Sequence, residues 1–378
     1  MGPAIPVEVC ELIIDYVALE NIAPLPSGLA PQYHFQRRRY HLSTRILVNG
    51  KRKLEQTAKH LKANVAKASV IRELYVCSPP RPYSEGQDTH SFSHWSHLFP
   101  LRLSGVIPAL DKIILVDLNW RFLHPSFFVI APQLTSTVTT LWMYNLSLTN
   151  PGRLTALVSM FPSLQALEVV SITFDSPKRS DSGLRRTAHL PNLHRVKLTR
   201  TSHIGHVLSW LSEKACNLRS LAVDVHEPLQ PLRDLLLRLP LLSELHMSFA
   251  RFPGANFDEF IGSLDFGTLR SLRSLTVDAE NDSIPALVGP LSSAKKDTLG
   301  AITLQLQTRI GNAPQFIADA APRWAALDAS LSEFKNLERV TVRLRAPEGD
   351  YAIEGLLPKT HSRRIANITL LDFDEWPW

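Results

Sequence analysis

The octapeptide Pro162-Ser-Leu-Gln-Ala-Leu-Glu-Val169 decides the fold, and it returns as Pro191-Asn-Leu-His-Arg-Val-Lys-Leu198. Each copy places apolar side chains at its third, sixth and eighth positions: Leu164, Leu167 and Val169, then Leu193, Val196 and Leu198. The same triad recurs as Leu218/Leu221/Val223, Leu242/Leu245/Met247, Leu272/Leu275/Val277 and Leu337/Val340/Val342. Weaker copies are Ile71/Leu74/Val76, Leu110/Ile113/Leu115, Val138/Leu141/Met143, Leu299/Ile302/Leu304 and Ile365/Ile368/Leu370. Most intervals between middle anchors lie between 24 and 30 residues, with two longer ones of 39 and 38.

The second and third anchors are two residues apart, so in a strand they face the same side. Such a strand hides that face only if neighbours stack beside it. Stacking repeats of this length in parallel requires a crossover between successive strands. The crossovers read as amphipathic helices: residues 152–160, 203–215, 229–240 and 323–334 carry apolar side chains three or four apart. In the second, Ile204, Val207, Leu208 and Leu211 make one stripe. Pro162, Pro191 and Pro240 stand where each helix must end, just ahead of a strand. Each repeat buries at least three large side chains, worth roughly 1.5–3 kcal/mol apiece. Ordering some 25 residues costs a comparable amount or more, so about one repeat alone is not stable. An ordinary open sheet would need no such period, and ten or eleven parallel strands lie near its usual size limit.

The pattern resembles the leucine-rich-repeat family in its longer, irregular form, over residues 70–378. The resemblance implies an α/β solenoid with parallel strands and convex helices, preceded here by a short helical N-terminal module, with an insertion near residues 78–108. The family's turn position, usually Asn or Cys, is occupied by Leu146, Ile172 and Thr201.

The N-terminal stretch Pro6 to Val17 reads as a short amphipathic helix, with Pro6 in the first turn and Glu8 and Glu11 near the positive end. Its stripe of Val9, Leu12, Ile13, Tyr16 and Val17 is too wide to leave in water. Ile5-Pro6, Glu8-Val9, Ile13-Ile14 and Tyr16-Val17 resemble the opening of an F-box, the module that docks on the Skp1 adaptor of cullin-based ubiquitin ligases. That resemblance implies adaptor contacts through Ile5, Pro6, Val9, Leu12, Ile13, Tyr16 and Val17, with the repeats holding a target protein. The match stops at residues 18–32, where Pro24, Pro26, Gly28 and Pro31 replace a helical continuation. The expected organisation is therefore an incomplete F-box-like helix and Pro-rich linker over 1–35, a basic helical lead-in over 36–69, and the solenoid over 70–378. In the lead-in, Leu54, Ala58, Leu61 and Val65 form the apolar stripe of a helix spanning 54–70.

Charge is distributed unevenly along the chain. Residues 1–30 hold four acids and no base, and residues 31–72 hold eleven Lys or Arg against the single acid Glu55. The other 306 residues balance to zero. The basic stretch reads as a solvated face, or as a complement to an acidic adaptor, rather than as a nucleic-acid site. Three dispersed cysteines, Cys10, Cys77 and Cys216, argue for a reducing compartment, and no apolar run is long enough for a bilayer. A cytoplasmic or nuclear chain is expected, with no membrane partner.

Chemistry has little support. No phosphate-loop, dinucleotide, zincin or nucleophile-elbow motif is present. His90, His94 and His97 are spaced like weak metal ligands, but their Ser-rich surroundings near Pro79, Pro80 and Pro82 favour an exposed loop. No catalytic residue, metal or cofactor is assigned. The expected function is a non-enzymatic protein-binding receptor, in the F-box reading the target-recognition part of a ligase acting in ubiquitin conjugation. The alternative is a repeat scaffold that binds a partner without Skp1. The partner surface consists of residues flanking the buried anchors: Ile114, Val116, Trp142, Tyr144, Glu168, Arg195 and Lys197. Large aromatic groups beside charges are what protein-binding hot spots use. Burial of Trp142 and Tyr144 under the 78–108 insertion is the competing expectation.

Overall fold

The computed structural model describes residues 44–77, 94–121, 123–176, 190–215, 217–226, 229–249, 256–280, 284–307, 313–345 and 357–371. Their strands are β1 (Arg45–Val48), β2 (Glu73–Cys77), β3 (Lys112–Val116), β4 (Thr140–Tyr144), β5 (Ser147–Leu148), β6 (Ala166–Val170) and β7 (Thr173–Phe174). β8 (Arg195–Thr199), β9 (Ser220–Asp224), β10 (Glu244–Ser248), β11 (Ser274–Glu280), β12 (Ala301–Gln307), β13 (Arg339–Arg345) and β14 (Ala366–Leu371) follow. β5 and β7 form a small ladder of their own, and the other twelve strands make one sheet in chain order. All pairings are parallel, as a repeat stack requires.

Helices α1 (Lys51–Ala63), α2 (Val65–Val70), α3 (Phe99–Leu103), α4 (Ser126–Thr135), α5 (Pro151–Val158) and α6 (Ile204–Lys214) lie between the strands. So do α7 (Gln230–Leu237), α8 (Asn256–Gly262), α9 (Ile284–Ser293), α10 (Ala313–Ser332) and α11 (Pro358–Ser362). They cover one face of the sheet. The strand anchors point at them: Leu167, Val196, Leu221 and Leu245 are paired in consecutive registers and each is at most 2% exposed. The α6 stripe of Ile204, Val207, Leu208 and Leu211 is buried against them. Alternate strand residues, such as Tyr75, Trp142 and Glu168, are only half-buried and lie on the face that the helices leave open.

The solenoid reading holds, with local corrections. The stack begins earlier than residue 70: β1 pairs with β2 from Arg45↔Glu73 to Val48↔Val76, and α1 buries Leu54, Ala58 and Leu61. In sequence, the residue three before Ile46 is Ser43 rather than an apolar one, so the triad pattern does not show. The helix expected over 54–70 breaks at Asn64, whose side chain accepts the Lys67 N–H at 3.1 Å and starts α2. Val65 thereby leaves the apolar stripe and is 73% exposed. At the far end, Val342 pairs with Ile368 and Val340 with Ala366, a shift of two residues from the expected alignment of Val340 with Ile368. A two-residue shift keeps the same side chains on the same face, so the apolar period alone does not detect it.

The missing turn residues have a physical replacement. Asp117, Asn145, Ser171 and Arg200 each follow a strand directly and adopt positive φ between 49° and 56°. Asp and Asn visit this region at least cost among non-glycine residues. The N–H groups of Asp117, Asn145 and Ser171 donate to the carbonyls of Tyr144, Val170 and Thr199 in the next repeat, at 2.9–3.0 Å. With the turn closed by backbone bonds, the following position is free to pack. Leu118, Leu146, Ile172 and Thr201 are all at most 2% exposed.

Residues 94–103 also differ from the expected exposed loop. A 3-10 turn (His94–Leu98) leads into α3, and Trp95, Phe99 and Leu103 are buried. Phe99 packs edge-on against Phe127, and the indole N–H of Trp120 donates to the Ser96 hydroxyl at 2.7 Å. The segment seals the core of the second repeat. Residues 78–93, including His90, lie outside the described residues.

Candidate functional site

Register aligns the open-face side chains in rows. The middle row reads Leu47, Tyr75, Ile114, Trp142, Glu168, Lys197, Ala222 and His246 from β1 to β10. The next row places Val116 beside Tyr144 and Val170. β2 to β6 therefore carry a contiguous aromatic and aliphatic floor. β8 to β12 carry shorter or charged groups, among them Arg195, Lys197, Ala222 and Thr276.

The floor is bordered by specific electrostatic contacts. Lys112 sets its ammonium over the Trp142 ring, 3.0 Å from the centroid, and Trp142 and Tyr144 meet edge-to-face with centroids 6.2 Å apart. A cation on an indole face is worth ~0.5–2 kcal/mol, increasing with desolvation. The contact fixes the ring and covers one of its faces. Burial lowers the Lys112 pKa, and the neighbouring carboxylate of Glu73 works in the opposite direction. Arg45 pairs with Glu73 at 2.9 Å and approaches the Tyr75 ring. Tyr144 bonds to Glu168, which also receives the Lys197 ammonium at 2.9 Å. Burial, reinforced by the Glu168 charge, raises the Tyr144 phenol so that it stays neutral and can donate.

The expected partner residues therefore fall into three groups. Val116, Trp142, Tyr144 and Glu168 come together on one patch, and Arg195 and Lys197 stand exposed at its border on β8. Ile114 does not offer surface: it is 2% exposed, with Tyr75 and Trp142 in register on either side. It fills the space between the two rings within the floor. Sequence reasoning missed Leu47, Tyr75 and Lys112. The last two occupy open-face positions in triads already identified, so extending the same rule to β2 would have found Tyr75.

A second cluster lies further along. His246 Nε2 contacts Asp278 Oδ2 at 2.9 Å, and Asp224 accepts the Arg200 backbone N–H at 2.9 Å. Burial raises the Asp224 pKa, against the Arg200 hydrogen bond and the nearby His226 and His246. Cys77, on the floor's edge, has its thiol pushed up to about 11 by burial and by the Asp117 charge. A thiol in that state is a poor nucleophile at neutral pH. Among the described residues no group of three or more His, Cys, Asp or Glu could hold a metal ion, and no helix is long and apolar enough to cross a membrane. Residues 5–17, the expected adaptor segment, lie outside the described residues.

No family model matches the chain, and no curated protein matches it. A chain in the crystal structure of the Rad7 and Elc1 complex in yeast is similar over 98% of this chain and 98% of its own length, at 13% identity and a TM-score of 0.38.

Proposed function

We propose that this chain is a protein-binding receptor that holds a target protein on the open face of its sheet. Trp142 and Tyr144 would anchor the target, with Val116 and Val170 beside them and Arg195 and Lys197 as a charged border. The reading rests chiefly on a half-buried aromatic floor, held in place by Lys112 and Glu168, on a face that the helices leave uncovered. Aromatic groups with restricted side chains lose little entropy on binding, and adjacent charges supply orientation. The F-box resemblance of Ile5-Pro6 to Tyr16-Val17 extends the proposal: the receptor would present its target to a ubiquitin ligase through a Skp1-like adaptor.

Two experiments test the two parts separately. Proteins captured by the full-length chain should be lost from W142A/Y144A while its melting transition stays nearly unchanged. Collapse of folding in that variant would make the two rings structural and remove the proposed anchor. Skp1 should co-purify with the full chain and not with a chain lacking residues 1–30. A full chain that captures a target but fails to bind purified Skp1 would be a scaffold without ligase engagement.

A further inference from the structure

The outer surface at the N-terminal end of the stack carries a second feature, independent of the open face. Residues 51–67 contain six Lys or Arg and one acid, Glu55. The structure places this stretch on α1 and α2, where Lys51, Arg52, Lys59, Lys62 and Lys67 are all exposed while Leu54, Ala58 and Leu61 face the core. None of the five is in an ion pair with a described residue, whereas Arg45, Arg121 and Lys197 all are. The Lys67 ammonium instead lies 3.3 Å from the His60 ring nitrogen.

The arrangement is unfavourable for the helix taken alone. Lys51, Arg52 and Lys53 occupy the first turn of α1, the positive end of its dipole, with no acid there and no side-chain cap from Gly50. Like charges three or four residues apart, such as Lys59 and Lys62, add to the repulsion. Ordinary solvated helices interleave acids and bases, whereas this stretch sets the single acid Glu55 against six cations. Beside the ridge, Val65 is 73% exposed and Val70 is 42% exposed.

We infer that the α1–α2 ridge is a docking surface for an acidic protein segment that also offers apolar side chains to Val65 and Val70. Carboxylates would relieve the repulsion that the described residues leave uncompensated. The two valines favour a protein over a polyphosphate, since a nucleic-acid backbone offers nothing apolar to cover them. No Phe, Tyr or Trp occurs between residues 51 and 67 to stack on a base. The ridge is formed by helices on the covered side of the sheet, so it can be occupied while the open face holds another protein.

The probe is a labelled amphipathic peptide with glutamates on one face and leucines on the other, titrated onto the full chain by fluorescence anisotropy. Reversing the ridge (K51E/R52E/K59E/K62E) should weaken binding roughly tenfold or more, because four exposed ion pairs of modest strength are replaced by repulsions. Reversing four exposed cations elsewhere (R238E/K295E/K335E/R364E) should change it less than about threefold, the residual long-range effect being screened by salt. V65S/V70S should weaken the leucine-containing peptide several-fold and leave an all-glutamate peptide unaffected. Equal loss from the two charge reversals would overturn the assignment, since binding would then follow net charge alone. A DNA duplex that displaces the peptide from wild type and from V65S/V70S equally well would overturn the choice of a protein partner.

Discussion

Asp328 is 1% exposed near the C-terminal end of α10, and it ties down the last repeat. Its two carboxylate oxygens accept the backbone N–H groups of Lys359 and Thr360, at 2.7 and 2.9 Å, at the start of α11. The Thr360 hydroxyl, 0% exposed, lies 2.9 Å from the same carboxylate and 3.1 Å from the Leu357 carbonyl, so it has a second acceptor available. Asp328→Ala removes two charge-assisted bonds of ~1.5–3 kcal/mol each, one of them to a buried N–H, for a total cost of about 3–6 kcal/mol. Because a solenoid repeat touches only its neighbours, the cost should fall on the terminal repeat and not on the whole chain. Hydrogen exchange followed by mass spectrometry reads this directly. Amides of residues 357–371 should lose protection by roughly a hundredfold, as about 3 kcal/mol of local stability implies, while β9 and β10 keep theirs. Asp328→Asn retains one acceptor and should lose about half as much free energy. Uniform loss across the sheet, or no change at residues 357–371, would refute the reasoning.

Three further outcomes are expected. Leu221, 1% exposed between Val196 and Leu245 in register, should cost ~2–5 kcal/mol as Leu221→Ala in urea unfolding, against under about 0.5 kcal/mol for Ala222→Ser on the open face. Asp224 has a folded pKa raised above 3.8, so the native state binds more protons and stability falls as pH rises through that window. Asp224→Asn should therefore be more stable than wild type at pH 7, with the difference vanishing as pH drops below about 3.8 in unfolding at matched pH values. With Cys10 and Cys216 replaced by Ser, the Cys77 thiol should react with a disulfide reagent far more slowly in the native than in the denatured protein at pH 8. The native rate should climb toward pH 11.

Much of the architecture was legible because the apolar period has one economical solution. Triads spaced like Leu164/Leu167/Val169 bury their anchors only when strands stack in parallel, and the helical fillers supply the crossovers. Open-face residues such as Trp142, Tyr144 and Glu168 followed from strand alternation alone. The first repeat escaped because Ser43 breaks its triad, and the α1–α2 break escaped because the cap at Asn64 competes with an apolar pattern that runs straight through it.

The sequence by itself determined the repeat, its parallel stacking and the face on which each anchor lies, because side-chain alternation and helical period are local properties of the chain. Only the tertiary structure decided what depends on neighbours far along the chain. It set the Lys112 ammonium on the Trp142 ring, closed Ile114 between two aromatic residues, and joined Asp328 to Thr360. It also replaced an asparagine turn by backbone bonds from one repeat to the next. Each of those contacts joins different repeats, and their strength depends on distance and desolvation that no single stretch of sequence contains.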